Sequence, residues 1–383
     1  MILPCPPRAP KGGSTSTTPN RERIAVAMSG GVDSSVVAYL LAQEGFDVIG
    51  VTMLTCAPQG PGGPEGSALG RCSVFAVERA RRVAKMIGIP FYEFNLEREF
   101  SREVVDYFCS EYLRGRTPNP CILCNEKVKF GRLWESVQPL GAELMATGHY
   151  ARVQYDKARG RYLLRKGVDA RKDQSYVLFS LSQGQLSRAR FPLGNLEKDH
   201  VRAVAERLGL SISGQAESQE ICFTRGDDYR CYLRSRLGSG EAPGLIVDRQ
   251  GRVLGIHQGI SAFTIGQRRG LGIAAGHPLY VIDLDRMSNR VVVGQEGEAF
   301  QDRCVASGVH WMAIESLTEP ETVVAKIRYN HPGAEARIEP IAGGRVMVRF
   351  KHPQKAVTPG QAVVFYQGDG VVGGGWIEGG ERG

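Results

Sequence analysis

One stretch constrains this chain more than any other: Ile24-Ala25-Val26-Ala27-Met28-Ser29-Gly30-Gly31-Val32-Asp33-Ser34-Ser35. Its apolar start reads as a short parallel strand buried on both faces. Ser29, Gly30 and Gly31 make a tight turn. Val36, Val37, Leu40 and Leu41 then recur at helical spacing, and Gly45 stands where a C-cap glycine belongs. Strand, glycine turn and helix start together aim backbone N–H groups and a helix dipole at a phosphate. A Walker loop would carry Gly-Lys-Ser/Thr here, and no lysine is present. Asp33 repels phosphate directly, so a Mg²⁺ between the two is expected.

The order Ser29-Gly30-Gly31-Val32-Asp33-Ser34-Ser35 resembles the pyrophosphatase loop (PP-loop) of ATP-using enzymes that release pyrophosphate and leave AMP on the substrate. The surrounding pattern fits. Asp47 to Leu54 and Phe91 to Leu96 read as further strands, and 57–70 as a Pro- and Gly-rich loop. Val74, Val77, Ala80, Ala84 and Ile87 mark a helix, and Phe100 to Leu113 returns to helical spacing. This alternation implies an α/β region with a parallel sheet and a ligand outside the carboxyl ends of the strands. Leu144 to Tyr150 reads as another strand end, which places Gly148 beside a nucleotide and His149 at the rim. From about 191 the texture changes. Leu196 to Leu208 is a charged amphipathic helix, and 240–293 holds short apolar runs with glycine turns. Thr322 to Tyr329, Arg345 to Lys351 and Ala362 to Tyr366 are evenly spaced short strands, which point to a barrel.

At 383 residues the chain has room for two or three domains. No apolar run is long enough to cross a membrane. Residues 1–22 contain one acid, Glu22, among many Pro, Ser, Thr and Gly, and read as a disordered tail without a signal-peptide core. The expected location is therefore the cytoplasm, where nine cysteines argue against a disulfide scaffold and for metal or thiol chemistry. A net charge of +8 fits a polyanionic partner.

Thr117-Pro118-Asn119-Pro120-Cys121-Ile122-Leu123-Cys124-Asn125 is the second informative stretch. Two prolines are expected to hold the backbone extended, with the thiols on a stiff loop rather than in a helix. Cys-x-x-Cys supports a dithiol/disulfide pair, half of a zinc site, or two ligands of an iron–sulfur cluster. No second Cys-x-x-Cys completes a zinc site. The third cysteine of interest, Cys222, lies in Glu217-Ser218-Gln219-Glu220-Ile221-Cys222-Phe223.

These stretches stand in order with Gly148-His149-Tyr150-Ala151-Arg152, Lys172-Asp173-Gln174-Ser175-Tyr176, Phe263-Thr264-Ile265-Gly266-Gln267-Arg268-Arg269-Gly270 and Thr358-Pro359-Gly360-Gln361. Together they resemble the tRNA-specific 2-thiouridylase (MnmA/TrmU) family from about residue 23 to about 380. The resemblance implies 2-thiolation of the wobble uridine of tRNA, with ATP adenylating O2 and sulfur arriving from a cysteine persulfide. It implies a PP-loop domain of the adenine-nucleotide α-hydrolase-like fold over 23–190, to whose site 218–226 returns. A central β-rich domain over 191–297 and a C-terminal tRNA-binding β-barrel over 298–383 follow. Carried over residue by residue, Cys124 is the nucleophile and Cys222 bears the persulfide. Ala27, Met28, Ser29, Gly30, Gly31, Val32, Asp33, Ser34, Met53 and Gly148 match nucleotide-binding positions. Asn119, Pro120 and Cys121 match those around the target base. Lys172, Asp173, Gln174, Arg328, Tyr329 and Gln361 match tRNA contacts, and His149 at the rim joins them. The implied partners are tRNA and a sulfur donor or persulfide carrier protein, with a monomeric enzyme and no membrane.

Cys121 departs from the family, many of whose members carry Asp there for acid–base help. Three cysteines, Cys121, Cys124 and Cys222, then allow a second route, a 4Fe–4S cluster whose fourth iron carries hydrosulfide. A reactive thiolate needs electropositive surroundings, for which Lys127 and Lys129 are candidates. Cys56 and Cys72 flank the 57–70 loop and are a candidate oxidised pair; Cys5, Cys109, Cys231 and Cys304 read as structural. Two rival functions use the same features: another PP-loop ligase or amidotransferase, and a non-catalytic RNA-binding protein with a structural metal. The first predicts a glutaminase cysteine or an amino-acid pocket, and neither signature is present.

Overall fold

A computed structural model describes residues 21–55, 68–210, 221–224, 229–237 and 241–381. Most of the tail read at 1–22, most of the 57–70 loop, Glu217 to Glu220 and the Cys56–Cys72 pair lie outside the described positions.

The first sheet is built from β1 (Arg23–Ala27), β2 (Asp47–Leu54), β3 (Phe91–Asn95), β4 (Leu144–Ala146), the hairpin strands β5 (Ala151–Asp156) and β6 (Arg161–Lys166) being set apart from it, and β7 (Ala189–Arg190). Its order is β3-β2-β1-β4-β7, and every pairing is parallel. Ile24, Ala25 and Val26 are fully buried because helices cover both faces. Ile24 and Val26 pack with Val36, Val37 and Leu41 of α1 (Val32–Gln43), Ala80 and Ala84 of α2 (Ala68–Ile87), and Val201 of the Lys198–Arg207 helix. Ala25 faces the other way, toward Phe100, Val104, Phe108 and Leu133. The helix α2 already begins at Ala68, inside the stretch read as a loop. The strand order departs from β1 in both directions, toward β2 and toward β4. A doubly wound sheet places its ligand crevice at such a point, outside the carboxyl ends of the strands.

The central sheet joins β8 (Gly244–Asp248), β9 (Val253–His257), β10 (Tyr280–Asp285) and β11 (Arg290–Gly294) in the order β10-β11-β8-β9. Beyond it lie β12 (Phe300–Trp311), β13 (Glu321–Lys326), β14 (Ala334–Ile341), β15 (Arg345–Lys355), β16 (Ala362–Gln367) and β17 (Gly370–Glu381). Their order is β12-β15-β14-β13-β16-β17, and pairing of β12 with β17 closes the barrel and removes its edges. The β5–β6 hairpin is attached to β17 at Gly370 opposite Arg165. Ala362, Val364, Tyr366 and Val371 belong to the same core cluster as Phe108, Ile122 and Phe179. The barrel thus shares its core with the α/β region.

The cysteine stretch differs from the extended loop expected. Pro120–Leu123 is an α-helical turn that continues as a π-helix over Cys124–Leu133, so both thiols sit in a helix. Pro120 stands at the first helical position, where its missing N–H costs nothing, and Asn119 caps it by accepting from Cys121 N at 3.1 Å. The prolines mark a helix start. Among the described residues no helix is long and apolar enough to cross a membrane.

Candidate active site

The β1–α1 turn is pinned from within. Ser34 Oγ accepts from Ser29 N at 3.1 Å and donates to Gly31 O at 3.2 Å, while Ser35 Oγ donates to Gly31 O at 2.9 Å. Gly31 caps α1 with no side-chain bond, which leaves first-turn N–H groups for an anion. Gly30 adopts φ +72°, and a Cβ there would strike the Ala76 backbone carbonyl. Arg79 Nε donates to Gly30 O at 3.1 Å, which ties α2 to the turn. A Cβ on Gly148 would lie 3.0 Å from Ser34 N, so the end of β4 packs directly on the loop. Ala27, Val32 and Met53 are half-buried around it, and Met28 is buried beneath. Gly30→Ala is therefore expected to displace the turn. Backbone strain of about 1–3 kcal/mol plus the clash should lower thermal stability and weaken ATP binding at least about tenfold by calorimetry.

Asp33 does not wait for a metal. Lys198 Nζ bonds both of its carboxylate oxygens, at 2.6 and 2.8 Å, and Tyr150 Oη donates to Oδ1 at 2.9 Å. Lys198 is only 6% exposed. Among the described residues no three His, Cys, Asp or Glu side chains converge on a metal position. The expected Mg²⁺ ligation by Asp33 thus does not fit this arrangement, because an ammonium takes that place. Sequence reading missed Lys198 and Tyr150. One signal was available for Lys198: a lysine in the first turn of a helix opposes the helix dipole, so its presence there calls for another partner.

Cys124 is buried at 8% exposure, and burial pushes its thiol pKa up; the charge of Lys129 opposes that rise and Cys121 adds to it. Cys121 presents surface to solvent, yet its thiol is also pushed up by burial and drawn back by Lys129. Of the two lysines, Lys127 pairs with Glu126 at 2.5 Å on the surface, and Lys129 alone acts on the thiols. Cys222 is exposed in a short turn whose Thr224 N donates to Ile221 O at 3.1 Å. Its neighbour Phe223 is buried edge-on against Phe108 at 5.2 Å and Phe100 at 5.8 Å. Phe223 and Cys124 belong to one core cluster, so the two motifs are anchored to the same body. Neither cysteine is in a disulfide. Among the described residues, Cys121, Cys124 and Cys222 form no metal-ligand group.

The remaining expected positions divide. His149 is not at a rim. It is 8% exposed, its Nδ1 lies 2.7 Å from Thr147 Oγ1, its ring meets Phe191 edge-on, and burial holds its pKa well below the usual imidazole range. Asp173 is buried, accepting from Gly167 N at 3.2 Å and from Ser175 N at 3.1 Å. Gln174 Oε1 accepts from Tyr150 N at 3.0 Å, next to the Asp33 pair. Lys172 is half-buried on the same turn. Tyr329 is close enough to Cys121 and Asp173 to feel both charges, and burial pushes its phenol up to about 12. Arg328 is exposed and donates to Lys355 O at 3.1 Å. Gln361 Nε2 donates to Thr117 O at 2.9 Å, and Thr117 N donates to Pro359 O at 2.8 Å. The barrel turn thus clasps the base of the Asn119–Cys121 segment, with Pro120 buried in it.

Residues 22–226 match the family described as tRNA methyl transferase HUP domain, 231–295 its PRC-barrel domain, and 301–377 the aminomethyltransferase beta-barrel domain. The chain is 49% identical over 357 residues to tRNA-specific 2-thiouridylase MnmA 1 of Caldanaerobacter subterraneus subsp. tengcongensis, covering 93% of this chain and 98% of that protein. It is 51% identical over 359 residues to tRNA-specific 2-thiouridylase MnmA of Geobacter metallireducens, covering 94% and 97%.

Proposed function

The chain belongs to the MnmA family of tRNA-specific 2-thiouridylases, and we propose that it thiolates carbon 2 of the wobble uridine of tRNA by adenylation followed by a persulfide relay. ATP binding follows from the HUP domain and tRNA as substrate from the family. The observation that carries the finer reading is one of placement. The Ser29–Asp33 turn, Gly148, Lys198 and the helix bearing Cys124 all belong to the α/β region, with Gly148 packed on the turn and Lys198 bonded to Asp33.

Uracil O2 is a poor leaving group, and a phosphoryl ester corrects that. In the first step O2 bonds the α-phosphorus of ATP, and the α–β bridge breaks to release pyrophosphate. Ser29, Ser34 and the uncapped N–H groups of α1 hold phosphate oxygens. Lys198 has the charge to follow the leaving pyrophosphate, with Asp33 and Tyr150 keeping it in place beforehand. In the second step the terminal sulfur of a Cys222 persulfide attacks C2 and AMP departs. Cys124 then attacks the Cys222 sulfur, which frees the 2-thiouridine and leaves a Cys124–Cys222 disulfide. A dithiol reductant reopens it, and a persulfide donor reloads Cys222.

Pyrophosphate release that depends on added tRNA tests the adenylation step. Tight tRNA binding without turnover would instead support a binding module, and release driven by an amino acid or ammonia a different PP-loop ligase. The relay gives Cys121 no covalent role. Cys121→Ser should therefore retain thiolation within about threefold, read by nucleoside mass analysis. Loss of nearly all activity together with bound iron in the anaerobic parent protein would replace the relay by the cluster route.

A further inference from the structure

Two lysines meet on the outer face of the barrel where it packs on the α/β region, and the relay uses neither. Lys166 ends β6, and its Nζ stands 4.4 Å from the centre of the Tyr366 ring. Lys326 ends β13, directly opposite Val364 of β16. Paired residues project from one face of a sheet, and so do residues two apart on a strand. Lys326 therefore shares a face with Val364 and with its diagonal neighbour Tyr366, both in the core cluster that joins the barrel to the α/β region. Val363 and Phe365, which alternate with them, fill the barrel interior with Val323 and Ala325. This face borders the cysteine segment, since Gln361, just before β16, holds Thr117 O at 2.9 Å. Both lysines are half-buried, and among the described residues neither makes an ion pair or a side-chain hydrogen bond. The carboxylate beside them is Asp173, and it is engaged elsewhere. It accepts from Gly167 N at 3.2 Å, Ser175 N at 3.1 Å and Ser175 Oγ at 3.0 Å, and Ser175 Oγ lies 3.2 Å from Tyr366 Oη. Burial holds the Lys326 ammonium below the ordinary lysine range; the Asp173 carboxylate works against that and the Lys166 charge works with it. Two partly desolvated ammonium groups around one ring are incompletely compensated and favour an anion.

We propose that Lys166 and Lys326 together bind one phosphodiester of the tRNA, beside the uridine being thiolated. The proposal rests on the reading that tRNA is the substrate and that its reacting uridine lies at the Asn119–Cys121 segment. A phosphodiester fits this pair, because it offers one delocalised negative charge that ammonium groups meet as point charges. Such a contact carries no base information, so the pair sets affinity and register rather than sequence preference. The other source of phosphate is ATP, whose place is the β1–α1 turn beside Lys198.

The test is binding of labelled tRNA to the full chain, without ATP or sulfur donor, read by fluorescence anisotropy over a range of salt. Lys166→Gln and Lys326→Gln should each weaken binding about fivefold. The double variant should flatten the slope of log affinity against log salt by about 0.7–0.9, the contribution of one phosphate. Lys326→Arg should stay within about threefold of the parent, since it keeps the charge. Lys351→Gln removes the same charge from a surface ion pair with Glu335 on the barrel and should bind within about twofold of the parent. In tRNA carrying single methylphosphonate linkages through the anticodon loop, one neutral linkage should weaken parental binding and make the parent and the double variant alike. Parental affinity and salt slope in the double variant, an equal loss in Lys351→Gln, or a loss of ATP affinity in place of tRNA affinity would each overturn the proposal. So would a methylphosphonate series in which no single linkage matters to the parent, a result that stands even where a Gln variant fails to fold. A parent that binds no tRNA would overturn the tRNA reading along with the site, whereas tRNA binding insensitive to both lysines would overturn the site alone.

Discussion

Asp33→Ala is expected to abolish tRNA-dependent pyrophosphate release while tRNA affinity stays within about threefold of the parent. The carboxylate positions the Lys198 ammonium at the phosphate turn, and phosphate positioning serves the chemical step. Affinity for tRNA is expected to come mainly from contacts with its phosphates away from this turn. The substitution also strands a lysine that is 6% exposed. Breaking a buried pair costs about 3–5 kcal/mol, and the one-third exposure of the Asp33 side chain reduces that figure. Asp33→Ala should therefore melt several degrees lower. Lys198→Met in the same chain removes the stranded charge, and the double variant should regain much of the lost stability by calorimetry. Adenylation should not return with it. This split between recovered stability and absent activity separates a catalytic pair from a structural one. Near-parental pyrophosphate release from Asp33→Ala would remove the assignment.

Cys222→Ser and Cys124→Ser should each stop net thiolation by at least about 10³-fold, but at different points. The Cys222 variant has no persulfide to offer, so tRNA-dependent adenylation continues and no 2-thiouridine forms. The Cys124 variant lacks the thiol that resolves the attack. Without added reductant it should accumulate tRNA bound covalently through a C2–S–S–Cys222 linkage, visible as a reductant-sensitive band on a denaturing gel. The parent should end a single turnover with a Cys124–Cys222 disulfide. That bond requires Cα atoms within about 7 Å. Cys222 is exposed while Cys124 is buried in the apolar cluster that also holds Phe223, so closing that bond is expected to need movement of one of the two segments. Equal net thiolation by either serine variant and the parent would contradict the relay.

The strands and the phosphate turn were legible because local rules and tertiary structure agree there. Asp47–Leu54 is strand over the range its apolar run defined, since a parallel strand covered on both faces needs no pattern beyond continuity. The glycine at position 30 announced a left-handed turn that only glycine occupies cheaply. The cysteine segment reads as extended because Pro118 and Pro120 both disfavour helical backbone around them, and one residue of context, the Asn119 cap, converts Pro120 into a helix start. Lys198 was hidden by distance: 165 residues separate it from Asp33, and no local pattern reports such a pairing. His149 looked like a rim residue for the same reason, as Phe191 covers it from a distant turn. The clasp of Gln361 on Thr117 O spans 244 residues. Thr358-Pro359-Gly360-Gln361 carries no local sign that the Gln361 amide holds the cysteine segment.

The central claim is that this chain replaces oxygen by sulfur at carbon 2 of a tRNA uridine at the expense of ATP. The most direct measurement is mass analysis of nucleosides from unmodified tRNA incubated with the purified protein, ATP, a persulfide donor and a dithiol. The account predicts a 2-thiouridine at the wobble position, in amounts matching the pyrophosphate released, and none without ATP or in the Cys222→Ser protein. Full pyrophosphate release with unaltered uridine, or thiolation that proceeds without ATP, would contradict it.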